Sequence, residues 1–138
     1  MKKTIPTLIV LLLISWYSYG QRSVDQEFTG KCAVKEVTIA KGLNSEVQNM
    51  MMVMKNGFTD SQFIFGSDGK FKIQLKENAP SMMKEMTSFL NGRNWVYDRD
   101  KKELEVGNNE LLMFVEQKDG KYYFEFSDTP ITLEMDKS

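Results

Sequence analysis

The sequence predicts a mainly β domain, an eight-stranded antiparallel up-and-down barrel with two short helices. Three observations lead there. Short segments alternate apolar and polar residues with a period of two, most cleanly from Lys70 to Lys76. Tight-turn pairs such as Asp68-Gly69 and Asp119-Gly120 separate such segments. Only two stretches switch to the 3.6-residue period of a helix. Short strands joined by tight turns make a meander, and closing it into a barrel removes the unpaired sheet edges.

The first twenty residues stand apart from the rest. Lys2 and Lys3 precede an apolar run from Ile5 to Ile14, broken only by Pro6 and Thr7, and Ser18-Tyr19-Gly20 places small residues three and one before a cut. This is the pattern of a cleavable signal peptide, residues 1–20. The alternative is an uncleaved anchor, but the run is half the ~20 apolar residues of a span. No cysteine sits at the cut to take a lipid, since Cys32 lies downstream. The expectation is therefore an exported protein, periplasmic or extracellular, without a membrane span after cleavage. Residues 21–30 read as a polar lead-in and 31–138 as the barrel domain.

The first strand is expected over Lys31–Ala40. Ala33, Val37 and Ile39 fall on one face and Cys32 and Val34 on the other, a mixed phase that suggests a bulge or burial of both faces. A helix follows, with Ser45 as N-cap, Gln48 completing a capping box, and Gly57 as the residue that ends it. Val47, Met50, Met51 and Met54 form its apolar stripe. Gln62–Gly66 and Lys70–Lys76 make a hairpin about Asp68-Gly69, with Phe71, Ile73 and Leu75 inward. The second helix runs from about Pro80 to Leu90, with Met82, Met83, Met86, Phe89 and Leu90 as its apolar side and Asn91-Gly92 as its stop. Five more strands are expected at Asn94–Asp98, Glu103–Val106, Leu111–Gln117, Lys121–Phe126 and Ile131–Met135. Tyr122, Phe124 and Phe126 share one face, as do Ile131, Leu133 and Met135.

The layout resembles the lipocalin-like (calycin-type) domains of secreted bacterial proteins. The resemblance rests on Phe28-Thr29-Gly30-Lys31-Cys32-Ala33-Val34, Phe63-Ile64-Phe65, Asp68-Gly69-Lys70-Phe71, Asn94-Trp95-Val96-Tyr97-Asp98 and Ile131-Thr132-Leu133-Glu134-Met135. It implies a binding fold that commonly holds a small apolar molecule. Such domains usually open on Gly-x-Trp, whose indole plugs one barrel end. Gly30-Lys31-Cys32 puts a cysteine there, so that end is expected to be less well sealed. The two helices, after strands one and three, also depart from the usual pattern.

Composition narrows the chemistry. There is no histidine, which excludes Ser/His and Cys/His catalysis and His-ligated zinc. Cutting after Gly20 takes two lysines and no acid, leaving 16 basic and 19 acidic residues and a net charge of −3. That balance argues against nucleic acid and anionic lipid as partners. A single cysteine allows no internal disulfide, and without a base beside it a buried inert thiol is expected. Asp98, Asp100, Glu103 and Glu105 are interleaved with Arg99, Lys101 and Lys102 and lack a calcium loop's glycine, so they read as a charged hairpin tip. Ser67-Asp68-Gly69-Lys70 lacks the second glycine and the helix of a phosphate loop, and reads as a turn. No catalytic residue, metal site or cofactor is expected.

Binding is the function left. The candidate inner-face residues are Phe63, Phe65, Phe71, Ile73, Trp95, Tyr97, Phe114, Tyr122 and Phe124. They would line a cavity for an apolar ligand, with the Tyr97 and Tyr122 hydroxyls as polar handles, or else fill the core completely. The second candidate is a protein partner, as for an inhibitor or envelope-assembly factor, met through Met50, Met51, Met54, Met83 and Met86, whose soft side chains suit adaptable contacts. Helical spacing favours the simpler reading, that these methionines pack the two helices onto the barrel. Thioethers can bind Cu(I), but the Met-x-x-Met repeats are only partly formed and no histidine assists.

Overall fold

The computed structural model describes residues 28–138, so the signal-peptide reading and residues 21–27 lie outside it. The elements are β1 (Gly30–Ile39), α1 (Ser45–Phe58), β2 (Gln62–Phe65), β3 (Phe71–Gln74), α2 (Ser81–Leu90), β4 (Trp95–Asp98), β5 (Glu103–Val106), β6 (Leu111–Lys118), β7 (Lys121–Phe126) and β8 (Ile131–Lys137). All strand pairs are antiparallel, in the order β3-β2-β1-β8-β7-β6-β5-β4. Sequence neighbours are sheet neighbours except β3 and β4, which end the strand order, and β1 against β8 joins the two halves. The fold is the eight-stranded barrel with two short helices that the strand pattern predicts, and it is nearly closed.

The remaining seam runs between β3 and β4. It is bridged at Lys70–Asn94 and stitched by Phe71 N–H to Arg93 O at 2.8 Å, Gly92 N–H to Phe71 O at 2.8 Å and Trp95 N–H to Gly69 O at 3.0 Å. Asn91, the last cap of α2, adds its Oδ1 as acceptor for Ile73 N–H at 2.8 Å. The chain leaves the sheet after β3 to build α2, and the exit from that helix supplies the hydrogen bonds a longer strand would have made.

β1 contains the bulge its mixed pattern suggests. Its register against β8 shifts between Val34 and Glu36, so Cys32, Val34 and Val37 all face the core. Ala33 therefore faces out, away from Val37 and not beside it. Phe28 is buried and Gly30 already belongs to β1, so the lead-in does not extend to residue 30.

Both helices sit over one end of the barrel. The N-cap of α1 is Asn44, whose Oδ1 accepts from Val47 N–H at 2.9 Å, so Ser45 is the first helical residue and no capping box forms with Gln48. Gly57 does not end this helix. It lies buried in the last turn, where a Cβ would come within 2.6 Å of Met83 Cγ, and its bare backbone lets α2 approach. The helix ends at Phe58 with Thr59 as its C-cap, and Asp60 takes the left-handed turn at φ 64°. Keeping Phe58 in the helix shifts its buried stripe to Val47, Met51, Met54 and Phe58. Met50 then falls on the flank, 55% exposed. In α2 the inward residues are Met83, Thr87 and Leu90, while Met82 and Phe89 are exposed.

Candidate functional site

The barrel interior is packed by its own side chains. Phe63, Phe65, Phe71, Ile73, Trp95 and Phe124 face inward, as the alternation predicts, and are buried. Their rings touch: Phe63–Phe71 at 5.8 Å, Phe65–Trp95 at 5.2 Å and Phe65–Phe124 at 6.0 Å between centroids, mostly edge to face. Phe58 descends from α1 to meet Phe63 at 5.9 Å and Phe126 at 5.2 Å. The Trp95 indole N–H donates to Gly66 O at 3.0 Å, which satisfies the one polar atom this ring carries inward. Among the described residues these side chains are neighbours of one another and not the walls of a chamber.

Phe114 is a correction. It points outward and is 39% exposed, because Met113 and Val115 take the inward positions of β6. It stands between Glu103 of β5 and Glu125 of β7.

The turn end of the barrel is sealed by a residue outside the regular strands. The Phe28 ring lies 4.6 Å from Tyr97, 5.3 Å from Phe65, 5.6 Å from Tyr122 and 5.8 Å from Phe124. Phe28 thus occupies the plugging role that Cys32 cannot fill, and the end is closed. The half-buried Tyr97 and Tyr122 line a pocket of about 290 Å³ outside this plug, with Arg99, Lys102 and Gln117. The Lys137 ammonium lies 5.7 Å from the Phe28 ring and 5.8 Å from that of Tyr122, within cation–π reach. Cys32 is 1% exposed, and burial pushes its thiol up to about 11, with the Lys137 charge pulling weakly the other way. It stays protonated and inert at neutral pH.

The helix end is different. A cleft of about 480 Å³ opens between α1, α2 and the rim loops after β5 and β7. Met54, Phe58, Met86, Leu90, Leu111 and Phe126 form its apolar walls, with Ile73 at its base. Asn109, Glu110, Ser127, Asp128 and Thr129 make the polar rim. Glu110 Oε2 lies 3.3 Å from Arg93 Nε, and Arg93 is further held by Phe89 O at 3.2 Å and the Phe89 ring at 4.9 Å.

No family model, curated protein or solved structure matches this chain.

The five methionines expected to form one surface divide in two. Met51 and Met83 are buried and anchor the helices, so they cannot present a docking face. Met54 and Met86 are half-buried on the cleft walls, and Met50 is exposed one turn before Met54. Met82 and Phe89 lie on the same flank of α2 as Met86 by helical spacing and are exposed. Sequence reasoning reads turns at Gly107–Asn109 and Ser127–Pro130 but gives them no functional role. The signal for them was the pair of left-handed positions at Asn109 and Asp128, residue types that tolerate positive φ.

The charged hairpin tip is structural: Asp98 Oδ1 accepts from Asp100 N–H at 3.0 Å and Lys101 N–H at 3.2 Å, an Asx-type turn. Asp68 does the same for Lys70 N–H at 3.0 Å.

Proposed function

We propose that this chain is an exported, lipocalin-like binding protein that takes a small apolar ligand in the cleft at the helix end, and not inside the barrel. The cleft carries this reading. Its volume of about 480 Å³ falls in the ordinary range for small-molecule sites, and its chemistry is the usual one of apolar walls with a few polar groups at the mouth. Met54 of α1 and Met86 of α2 both line it with three flexible torsions each, which suits an irregular apolar guest. The signal-peptide pattern of residues 1–20 supports export.

A protein partner is the second reading, favoured by the exposure of Met50, Met82 and Phe89 beside the cleft, each half exposed or more. Native mass spectrometry of protein purified gently from an exporting host separates the two. A small-molecule mass present natively and released on unfolding supports the ligand, and Met54→Gln with Met86→Gln should abolish its capture while the protein stays folded. An apo mass, with no thermal shift from a panel of apolar compounds, would sink the ligand reading and leave the partner.

A further inference from the structure

Resting on that cleft reading, the rim's charge identifies the class of ligand. The apolar walls hold no ionisable side chain, and among the described residues the charged ones lining the cleft are Glu110 and Asp128. No lysine or arginine is among them. Glu110 is already answered by Arg93 at 3.3 Å, and Arg93 is turned toward Phe89 by both its hydrogen bond and its stacking contact. Asp128 sits exposed at the tip of the β7–β8 turn, held at φ 62°, and among the described residues no cation pairs with it. The neighbouring Thr129 spends both its N–H and its hydroxyl on Phe126 O, at 3.3 and 3.2 Å, which fixes this turn at the mouth.

A carboxylate headgroup entering here would meet two carboxylates and no uncommitted cation. A neutral alcohol would meet polar atoms only. A protonated amine would find an opposite charge at the mouth while its apolar body enters the cleft, beside the rings of Phe58 and Phe126. The pocket at the opposite end has the reverse character, with Arg99 and Lys102 among its lining. We propose that the ligand of the helix-end cleft is a cationic amphiphile, an apolar body carrying a protonated amine, and that Asp128 is the residue that selects the headgroup.

Decylamine, decanol and decanoic acid share one apolar tail and differ only in the head. Each is titrated calorimetrically into the chain from Gln21 to Ser138, at neutral pH, low salt and concentrations below micelle formation. The amine should bind about tenfold tighter than the acid with the alcohol between, on the scale of one exposed attractive contact exchanged for a repulsive one. Asp128→Asn should weaken the amine about threefold and leave decanol unchanged. Glu125→Gln, on the outer wall, should change neither and controls for general attraction to an acidic protein.

Decanoic acid binding as tightly as decylamine, or Asp128→Asn weakening amine and alcohol alike, overturns the headgroup assignment and leaves the cleft in place. No binding of any of the three, or binding untouched by Met54→Gln with Met86→Gln, overturns the cleft reading itself and the proposal with it.

Discussion

The two ends of this barrel are closed by different materials. At the turn end one rigid ring, Phe28, packs among Phe65, Tyr97, Tyr122 and Phe124 with centroid distances from 4.6 to 5.8 Å. At the helix end α1 and α2 lean together over Gly57 and Met83, and half-buried methionines edge an open cleft. An aromatic ring has two torsions and fills a fixed volume, whereas a thioether chain adapts to what lies beside it. Apart from the bulge in β1, the strands alternate in the same way toward both ends, so alternation does not tell the two ends apart. The caps do.

The largest expected effect tests the rigid end. Phe28→Ala removes a buried ring with at least four aromatic neighbours and leaves a cavity they cannot refill, so it should cost about 3–5 kcal/mol in urea unfolding. A cost below ~1 kcal/mol would mean that the plug is not structural and that the ends differ less than their packing implies.

The buried thiol gives the next effect, through pH. Cys32 pairs across the sheet with Lys137 close to the plug, and its thiol is pushed from an ordinary 9.0 up to about 11 by burial. The native state holds this proton more tightly than the unfolded chain. Its contribution to stability is therefore complete below about pH 9 and falls as pH rises toward 11, by about 2 kcal/mol. Lysines and tyrosines titrate in the same range, so the measurement is the difference between the wild type and Cys32→Ala across that window. Parallel stability curves would show that the thiol is not held in the sealed interior.

Where the fold was legible, local pattern and tertiary demand agreed. Lys70–Lys76 alternates and its middle, Phe71–Gln74, forms β3, Asp-Gly turns the hairpin before it, and the mixed phase of β1 marks a real bulge. Legibility failed where a residue answers to a distant partner. Gly57 looks like a helix stop in its own segment, yet it is needed by Met83, twenty-six residues on. Ending the helix there hid Phe58 and put Met50 in its place on the buried side. Phe114 misled because aromatic content suggested an inner face while the phase of Met113 and Val115 set an outer one. The cleft was least legible, because its rim comes from two turns that only the closed barrel brings beside the helices.

Gly57 supplies a smaller effect at the helix end. Alanine is the better helix former by about 1 kcal/mol, but its methyl would press on the Cγ of the buried Met83. The overlap should win, for a net loss of about 1–2 kcal/mol by thermal or urea unfolding. Pairing it with Met83→Ala should make the methyl favourable, so that Gly57→Ala stabilises in that background. A stabilising Gly57→Ala in the otherwise native chain would show that the helix end yields as readily as its cleft does, and would sharpen the contrast with the plug.

The smallest effect separates the two readings of the helix end. Met50 is exposed one turn after Glu46, on the flank that leads to Met54. Met50→Lys removes little buried area, and a lysine four residues after a glutamate is the favourable order for a helix ion pair, worth about 0.2–0.5 kcal/mol. Stability should therefore stay level or rise by up to ~0.5 kcal/mol. A small guest enclosed by the cleft walls meets Met54 and Met86 before it meets Met50, so its affinity should hold within about twofold. A protein partner lying across the flank would instead have to bury the new charge, and its binding should fall tenfold or more. Unchanged stability with lost capture of a polypeptide would transfer the function from the cleft to the surface beside it.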